Sequence, residues 1–263
     1  MRIDKCHLCA SSNVRQSRAG YNECVNCGLL FKKPIDVIDY NLAYSHSESF
    51  DYIGYENDQW YSWDLLKAEI CRSIILQHNL RCIFDFGCGS GKFLSACQEK
   101  SIDQLSGFEV STSALRLARQ ALMSDSIYNT FEEAYFALPH NGLATFFEVI
   151  EHLDDFSPIR SLIMKGFHIY GTTGNHHSFV SKIRGENWEY LMPQHCSIFS
   201  TRSLMYMANM FDCNLDIRYR NILPRRSIFN LSSCLPLGPF NSTSDLIKYF
   251  LPSSTLTFHF YPK

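Results

Sequence analysis

The sequence predicts a doubly wound α/β domain with a mostly parallel sheet, preceded by a small cysteine-rich module. Short β-rich segments alternate with amphipathic helical segments from residue 62 to residue 217. This alternation is typical of a parallel sheet with helices on both faces. One segment, "LATFFEVI" at 143–150, is apolar on both faces, as a buried parallel strand should be. A glycine-rich turn follows the first strand, and together these observations predict a Rossmann-like domain over residues 81–263.

The module at residues 1–35 contains two CxxC knuckles. Cys6 and Cys9 are followed, after 14 intervening residues, by Cys24 and Cys27. Two such knuckles can direct four thiolates at one tetrahedral zinc ion, and a site filled by four cysteines leaves no position open for catalysis. We therefore expect a structural zinc ribbon, with His7 as an alternative ligand in place of one cysteine. So short a module buries little apolar surface, so metal binding should supply most of its folding energy.

Residues 36–80 are predicted to connect the ribbon to the main domain. Aromatic residues are frequent at 40–63 without a clear period. This segment could be a lid that faces the substrate or a wrap that packs on the core. Residues 62–79 carry apolar side chains at helical spacing, at Leu66, Ile70 and Ile74, which predicts a helix.

The remaining elements follow in chain order. Strands are predicted at 81–86, 104–110, 126–131, 143–150 and 167–173, and helices at 92–100, 111–123, 157–167 and 200–211. Ser111 or Thr112 can cap the second of these helices, and Pro158 suits the first turn of the third. Residues 214–221 and 255–262 alternate between apolar and polar side chains, which predicts a closing antiparallel pair.

The turn after the first strand, "DFGCGSGKF" at 85–93, has glycines at alternate positions, Gly87, Gly89 and Gly91. Glycine permits a tight turn and lets a ligand approach the backbone. In doubly wound folds, ligands lie at the carboxyl ends of the strands, where this turn is expected. The turn is therefore a predicted ligand site.

Two common nucleotide-binding patterns fit this turn poorly. A P-loop, GxxxxGK[ST], would need glycine at Phe86 and a hydroxyl residue at Phe93, so it is excluded. A dinucleotide fingerprint, GxGxxG, would need its third glycine at Lys92, which weakens that assignment. The pattern present is an acid, Asp85, followed by GxGxG.

That pattern resembles motif I of the class I S-adenosylmethionine-dependent methyltransferases. The segment "FFEVIEHLDD" at 146–155 resembles the fourth-strand motif of one subgroup, and "PQHCSIFS" at 193–200 resembles a later motif of that subgroup. A zinc ribbon ending in "CGLxF" also precedes many members, including sugar C-methyltransferases. The resemblance covers roughly residues 5–217 and implies S-adenosyl-L-methionine as cofactor beside a structural Zn2+.

The resemblance also implies which residues contact the cofactor. Glu109 ends the second strand, where a carboxylate can accept hydrogen bonds from both ribose hydroxyls. The usual acid that faces the adenine is absent after the third strand, and Phe131 or Glu132 could take its place. The expected cofactor-binding residues are Asp85, Gly87, Cys88, Gly89, Gly91, Glu109, Phe131 and Glu148.

Methyl transfer to a hydroxyl or a carbon acid also needs a proton acceptor, a role that suits histidine near neutral pH. His195, in "PQH", and His152, after the fourth strand, are the predicted catalytic residues. His176 and His177 follow the fifth strand and are further candidates. Each of the four could instead be a hydrogen-bonded structural histidine.

Composition limits the partners. The formal net charge of −2 argues against a nucleic-acid partner, and no apolar run approaches the ~20 residues that span a bilayer. Eleven cysteines without an export signal indicate thiols or metal ligands, so we expect a cytoplasmic enzyme. The expected acceptor is a small molecule, a sugar or sugar nucleotide methylated on oxygen or carbon. Alternatives are an RNA or protein methyltransferase that docks through its ribbon, and a non-catalytic scaffold.

Overall fold

The computed structural model describes residues 5–33, 58–219 and 254–263, and all statements below concern these residues. They form two sheets, one of seven strands and one of four. Residues 40–57 of the aromatic-rich segment at 40–63, for which the sequence left a lid and a wrap as alternatives, lie outside the described residues, as do residues 220–253 between the last two strands.

The larger sheet carries the main domain. Its strands are β4 (Ile83–Phe86), β5 (Leu105–Phe108), β6 (Ile127–Tyr128), β7 (Leu143–Phe147), β8 (His168–Gly174), β10 (Cys213–Tyr219) and β11 (Thr255–Pro262). They lie in the order β10-β11-β8-β7-β4-β5-β6. The five strands β8, β7, β4, β5 and β6 pair in parallel, and β11 pairs antiparallel with both β8 and β10. The chain runs outward from β4 to β6 and then restarts at β7 on the other side of β4. The carboxyl end of β4 is therefore the topological switch point, where such folds bind ligands.

Helices connect these strands. They are α1 (Asp58–His78), α2 (Lys92–Glu99), α3 (Thr112–Leu122), α4 (Phe131–Ala137), α5 (Ser157–Met164), α6 (Phe179–Arg184) and α7 (Thr201–Met210), with short 3₁₀ helices at Ile150–His152 and Gly185–Asn187. Ser111 caps α3 by accepting a hydrogen bond from the Ala114 amide, and Pro158 lies in the first turn of α5. Both features agree with the sequence prediction.

The smaller sheet belongs mainly to the N-terminal module. Its strands are β1 (Val14–Gln16), β2 (Asn22–Cys24), β3 (Leu30–Phe31) and β9 (Ser197–Ile198). Strand β9 comes from the main domain and pairs antiparallel with β3, placing Leu30 opposite Ile198. Leu29 and Phe31 share one buried cluster with Phe199. Apolar packing against the main domain therefore stabilises the module, in addition to any bound metal. The sequence did not indicate this packing.

The predicted fold class is confirmed, and the strands of the larger sheet lie where the sequence placed them. The third strand is shorter than predicted, since only Ile127 and Tyr128 pair and Phe131 already begins α4. Thr130 causes this early start, because its side chain accepts a hydrogen bond from the Glu133 amide and so caps the helix. Among the described helices, none is both long and apolar enough to cross a membrane.

Candidate active site

The glycine turn lies at the carboxyl end of β4, and its backbone requires glycine. Gly87, Gly89 and Gly91 have φ angles of 75°, 54° and 81°, in the left-handed region that other residues rarely adopt. A Cβ atom on Gly87 would lie 2.9 Å from a methyl of Val149, just after β7. One on Gly91 would lie 3.1 Å from the Cα of Ala118 in α3. The turn therefore packs tightly against the neighbouring strand end and helix.

Glu109 connects this turn to the next strand. Its Oε2 accepts a hydrogen bond of 2.9 Å from the Gly89 amide, and its Oε1 accepts one of 2.8 Å from the Ser111 amide. Burial raises the pKa of this carboxyl, while the backbone donors act in the opposite direction. Each carboxylate oxygen has further lone pairs. Glu109 can therefore accept additional hydrogen bonds while it holds the turn.

Asp85 lies beneath the turn. It is 5% exposed, and its Oδ1 accepts a hydrogen bond of 2.6 Å from the Thr145 hydroxyl on β7. Burial raises the pKa of Asp85 to about 7, although the Thr145 hydroxyl and the nearby Lys67 oppose this shift. Asp85 therefore links two central strands at the base of the site.

Two other predicted cofactor residues differ in surroundings. Phe131 is partly buried at the start of α4, with ring centroids 5.6 Å from Phe86 and 6.4 Å from Phe108, both at strand ends. It can present an aromatic face beside the turn.

Cys88 is buried, and its Sγ would lie 2.9 Å from a Cβ on Gly107. Its side chain thus packs against β5, and burial raises the pKa of its thiol.

Glu148 directly follows β7 and is strained. Its φ of 57° is unusual for a residue other than glycine, and such strain often occurs at functional sites. Its side chain is exposed, and its Oε2 accepts a hydrogen bond of 2.6 Å from the Tyr190 hydroxyl. Tyr190 was not predicted from the sequence. It lies 42 residues from Glu148 in a segment without a motif of its own, so only the fold could reveal the contact.

Glu151, three residues further along, is fully buried. Its Oε2 accepts a hydrogen bond of 3.1 Å from the Thr173 hydroxyl on β8, while its Oε1 lacks a hydrogen-bond partner within the described residues. Burial, and the neighbouring Glu148 carboxylate, raise the pKa of Glu151 well above its usual range. Glu151 is therefore a buried carboxyl whose protonated form is favoured by its surroundings, three residues after the exposed Glu148.

The two predicted catalytic histidines lie together. The rings of His152 and His195 are 4.6 Å apart and perpendicular. His195 Nδ1 lies 2.8 Å from the carbonyl oxygen of Tyr190. Because a carbonyl can only accept, Nδ1 carries the proton and Nε2 carries the lone pair. Burial, and then the nearby His152, lower the pKa of His195 to about 4, so the ring is neutral and able to accept a proton.

The other two histidine candidates face the N-terminal module. His176 is buried and its Nε2 donates a hydrogen bond of 2.9 Å to the carbonyl of Gly28, and burial lowers its pKa to about 3. His177 lies 3.9 Å from a carboxylate oxygen of Glu23. Both therefore hold the module in place, away from the glycine turn.

The four predicted metal ligands converge. The Sγ atoms of Cys6, Cys9, Cys24 and Cys27 all lie within 4.8 Å of one another, the one such group of His, Cys or acidic residues in the described parts of the chain. The Sγ of Cys6 is 3.5 Å from that of Cys27. His7 is not part of this group, because its Nδ1 lies 3.0 Å from the Ser197 hydroxyl. Four convergent thiols suit a tetrahedral ion such as Zn2+.

The site as a whole has two sides at one edge of the sheet. The glycine turn and Glu109 form one side, and Glu148, Tyr190 and the two histidines form the other. Val149 connects them, since it contacts Gly87 and is followed directly by the 3₁₀ helix that carries Glu151 and His152. Such a site can hold a ligand on bare backbone, with a buried neutral imidazole on its other side.

Comparison with known proteins agrees with this geometry. A family profile described as "Methyltransferase domain" matches residues 34–216. The structure is similar to that of the plantazolicin methyltransferase BpumL in complex with SAH, with a TM-score of 0.55 and 16% identity over 86% of this chain and 96% of that chain. It is also similar to the plantazolicin methyltransferase BamL in complex with a triazolic desmethylPZN analog and SAH, with a TM-score of 0.53 and 12% identity over 81% and 90% of the two chains. At these identities the likeness establishes the fold. A comparison with curated protein sequences finds no significant match.

Proposed function

The chain belongs to the methyltransferase-domain family and is therefore a methyltransferase, and we propose that it moves the methyl group of S-adenosylmethionine to a small-molecule acceptor. The observation that carries this proposal is the glycine turn, whose Gly89 amide is held by Glu109 at the switch point of the sheet. The solved neighbours named above were determined with SAH, the product of this methyl donor.

The residues around the turn fit that cofactor. Gly87, Gly89 and Gly91 leave backbone without side chains for the amino-acid part to approach. Glu109 keeps acceptor capacity for the two ribose hydroxyls, and Phe131 offers a ring for the adenine. When bound, S-adenosylmethionine supplies a methyl group on positively charged sulfur, which needs little further activation. The protein has mainly to align the acceptor and remove its proton.

His195 is the proposed proton acceptor. Its Nδ1 donates to the Tyr190 carbonyl, so its Nε2 can take the proton of an acceptor hydroxyl as the oxygen–carbon bond forms and the carbon–sulfur bond breaks. The perpendicular His152 ring packs on His195 and keeps it oriented. Glu148, exposed beside Tyr190, can accept a hydrogen bond from the acceptor or from the amino group of the methyl donor.

The proposed acceptor is a sugar or sugar nucleotide, methylated on a hydroxyl. This choice rests on the resemblance of segments 146–155 and 193–200 to motifs of a methyltransferase subgroup whose members include sugar methyltransferases. The net charge of −2 favours a small molecule over RNA.

The four convergent thiols of Cys6, Cys9, Cys24 and Cys27 are proposed to hold one Zn2+. Since all four ligands are cysteine, the ion has no position open for substrate. Its role is to fold the N-terminal module and hold it on the main domain.

Calorimetric titration with S-adenosylhomocysteine tests the methyl-donor site. We expect micromolar binding by the wild type and loss of binding in Gly89→Arg and in Glu109→Ala. Glu133→Ala, which removes an exposed acid from α4, is the matched control and should bind as the wild type does. A folded wild type that does not bind would refute the donor assignment.

Transfer of labelled methyl to a panel of sugar nucleotides then tests the acceptor and the base. His195→Gln should retain S-adenosylhomocysteine binding and lose transfer by roughly 10²-fold or more, as expected for a general base. Label that enters peptide or tRNA instead of sugar nucleotides would overturn the acceptor class and leave the donor intact.

A further inference from the structure

The chain segment that carries His195 is held from one side by the N-terminal module. Tyr21, fully buried between β1 and β2, donates a hydrogen bond of 2.6 Å to the carbonyl of His195 itself, and its hydroxyl lies 3.2 Å from the carbonyl of Met192. Lys32 Nζ donates to the same Met192 carbonyl at 3.0 Å and lies over the Tyr21 ring. Two side chains of the module thus hold the turn that ends at His195.

The contacts between the N-terminal module and this segment continue along the backbone after His195. The Lys32 amide donates to the carbonyl of Cys196, and Phe31 pairs with Ser197 where β3 joins β9. His7, between the cysteines of the first knuckle, reaches Ser197 with its Nδ1 at 3.0 Å. The His7 side chain therefore connects the first cysteine knuckle directly to the segment that carries His195, the proposed base.

The opposite side of the same segment faces the active site. The Cys196 amide donates to the carbonyl of Glu151 at 2.9 Å, and the Cys196 thiol contacts the carbonyl of His152. His195 Nδ1 is held by the Tyr190 carbonyl. Residues 192–198, which include His195, thus lie between the N-terminal module and the 3₁₀ helix that carries Glu151 and His152.

We propose that the metal-loaded module is the element that positions His195 for catalysis, with Tyr21 as its positioning residue. This inference rests on the proposed function, because it assigns a role to the module in setting the base of that reaction. The segment at 192–196 is neither helix nor strand, so contacts with other parts of the chain must hold its backbone in place. Displacement of a catalytic group by about 1 Å can cost on the order of 10²-fold in rate. Tyr21 and Lys32 remove that freedom by fixing two carbonyls of the turn.

The test uses the full-length, zinc-replete protein and the imidazole spectrum of His195. Long-range 1H–15N correlation spectra, assigned with His195→Gln, report which nitrogen carries the proton and how fast it exchanges. We expect Tyr21→Phe to shift the His195 signals and to speed exchange of its Nδ1 proton about fivefold, in keeping with loss of one buried hydrogen bond. Zinc content and S-adenosylhomocysteine affinity should be unchanged.

Tyr206→Phe is the matched control, because Tyr206 lies on α7 beside the four cysteines and is 37% exposed. It should leave the His195 signals unchanged. Removal of zinc from the wild type by a chelator should reproduce the Tyr21→Phe spectrum, and reloading should restore the original one. If Tyr21→Phe fails to fold, Lys32→Met, which removes the second contact to the turn, should give the same shift.

Unchanged His195 signals in Tyr21→Phe or Lys32→Met and in the zinc-free protein would overturn the inference. The spectra require neither cofactor nor acceptor. Failure of the wild type to bind S-adenosylhomocysteine would therefore refute the proposed function without deciding the role of Tyr21.

Discussion

Asp85 shows how burial changes a carboxyl group at the end of a central strand. Its pKa of about 7 lies above the value of 3.8 for an unburied aspartate, and burial is the main cause. Between pH 3.8 and about 7, Asp85 therefore carries a proton in the folded state but not in the unfolded state. Asp85 therefore lowers the free energy of unfolding as pH rises from 3.8 to about 7.

Removal of the Thr145 hydroxyl should expose this effect. Thr145→Val takes away the hydrogen bond that favours the ionised form of Asp85. We expect a loss of about 1–3 kcal/mol in the free energy of unfolding, larger at pH 8, where Asp85 is ionised, than at pH 6. Urea denaturation at both pH values measures it. Thr257→Val, on β11 and only partly buried, should change stability by less than about 0.5 kcal/mol. Equal losses at the two pH values would contradict the expected ionisation of Asp85.

At the scale of elements, the active site is assembled from strand ends. Phe86 ends β4, Phe108 ends β5 and Phe147 ends β7, and parallel pairing brings these ends to one edge of the sheet. The N-terminal module then adds β3 to β9, next to His195. The cofactor side of the site thus comes from local turns, and the catalytic side depends on a pairing between distant elements.

The metal of the module can be tested by its stoichiometry. Cys24→Ser removes one of four convergent thiols, and we expect bound zinc to fall from one ion per chain to nearly none, with a lower melting temperature. His7→Gln should retain the zinc, because His7 contacts Ser197 and not the thiol group. Metal analysis by mass spectrometry and thermal melting give the two readouts. Zinc loss in His7→Gln equal to that in Cys24→Ser would favour the alternative ligand set.

For the whole molecule, buried neutral histidines set the response to acid. His168 and His259 lie 3.0 Å apart, nitrogen to nitrogen, at the opposite edge of the sheet from the active site, with His78 beside them. Burial lowers the pKa of both to about 4, and the neighbouring His78 adds to this shift. The unfolded chain takes up protons on these residues below about pH 6.5, while the folded chain does not. The contribution of these two histidines to stability should therefore be complete above pH 6.5 and decrease as pH falls towards 4.

The double variant His168→Gln/His259→Gln measures this contribution. Its free energy of unfolding should fall less steeply than that of the wild type between pH 6.5 and 4, by up to about 1.4 kcal/mol per pH unit for each histidine. Urea denaturation across this range gives both slopes. Any zinc released at low pH would affect both proteins alike, so the difference between the two slopes measures the contribution of His168 and His259. Parallel slopes would show that these histidines are already charged in the folded protein.

The sequence by itself determined the features that depend on neighbouring residues. Alternating strand and helix patterns placed the main sheet, the glycines at 87, 89 and 91 located the turn, and two CxxC pairs predicted the convergent thiols, because each reflects local backbone or side-chain chemistry. The family match confirmed the predicted methyltransferase.

Only the tertiary structure decided which distant groups meet. It directed His176 to the Gly28 carbonyl, Tyr190 to Glu148, and Tyr21 to the carbonyl of His195. It also inserted β11 between β8 and β10, and joined β9 to the N-terminal module. These contacts span tens to more than a hundred residues, and a pattern with a period of two or 3.6 residues contains no information about them. Burial, which raises the pKa of Asp85 and Glu151 and lowers that of His195, follows from the same long-range packing.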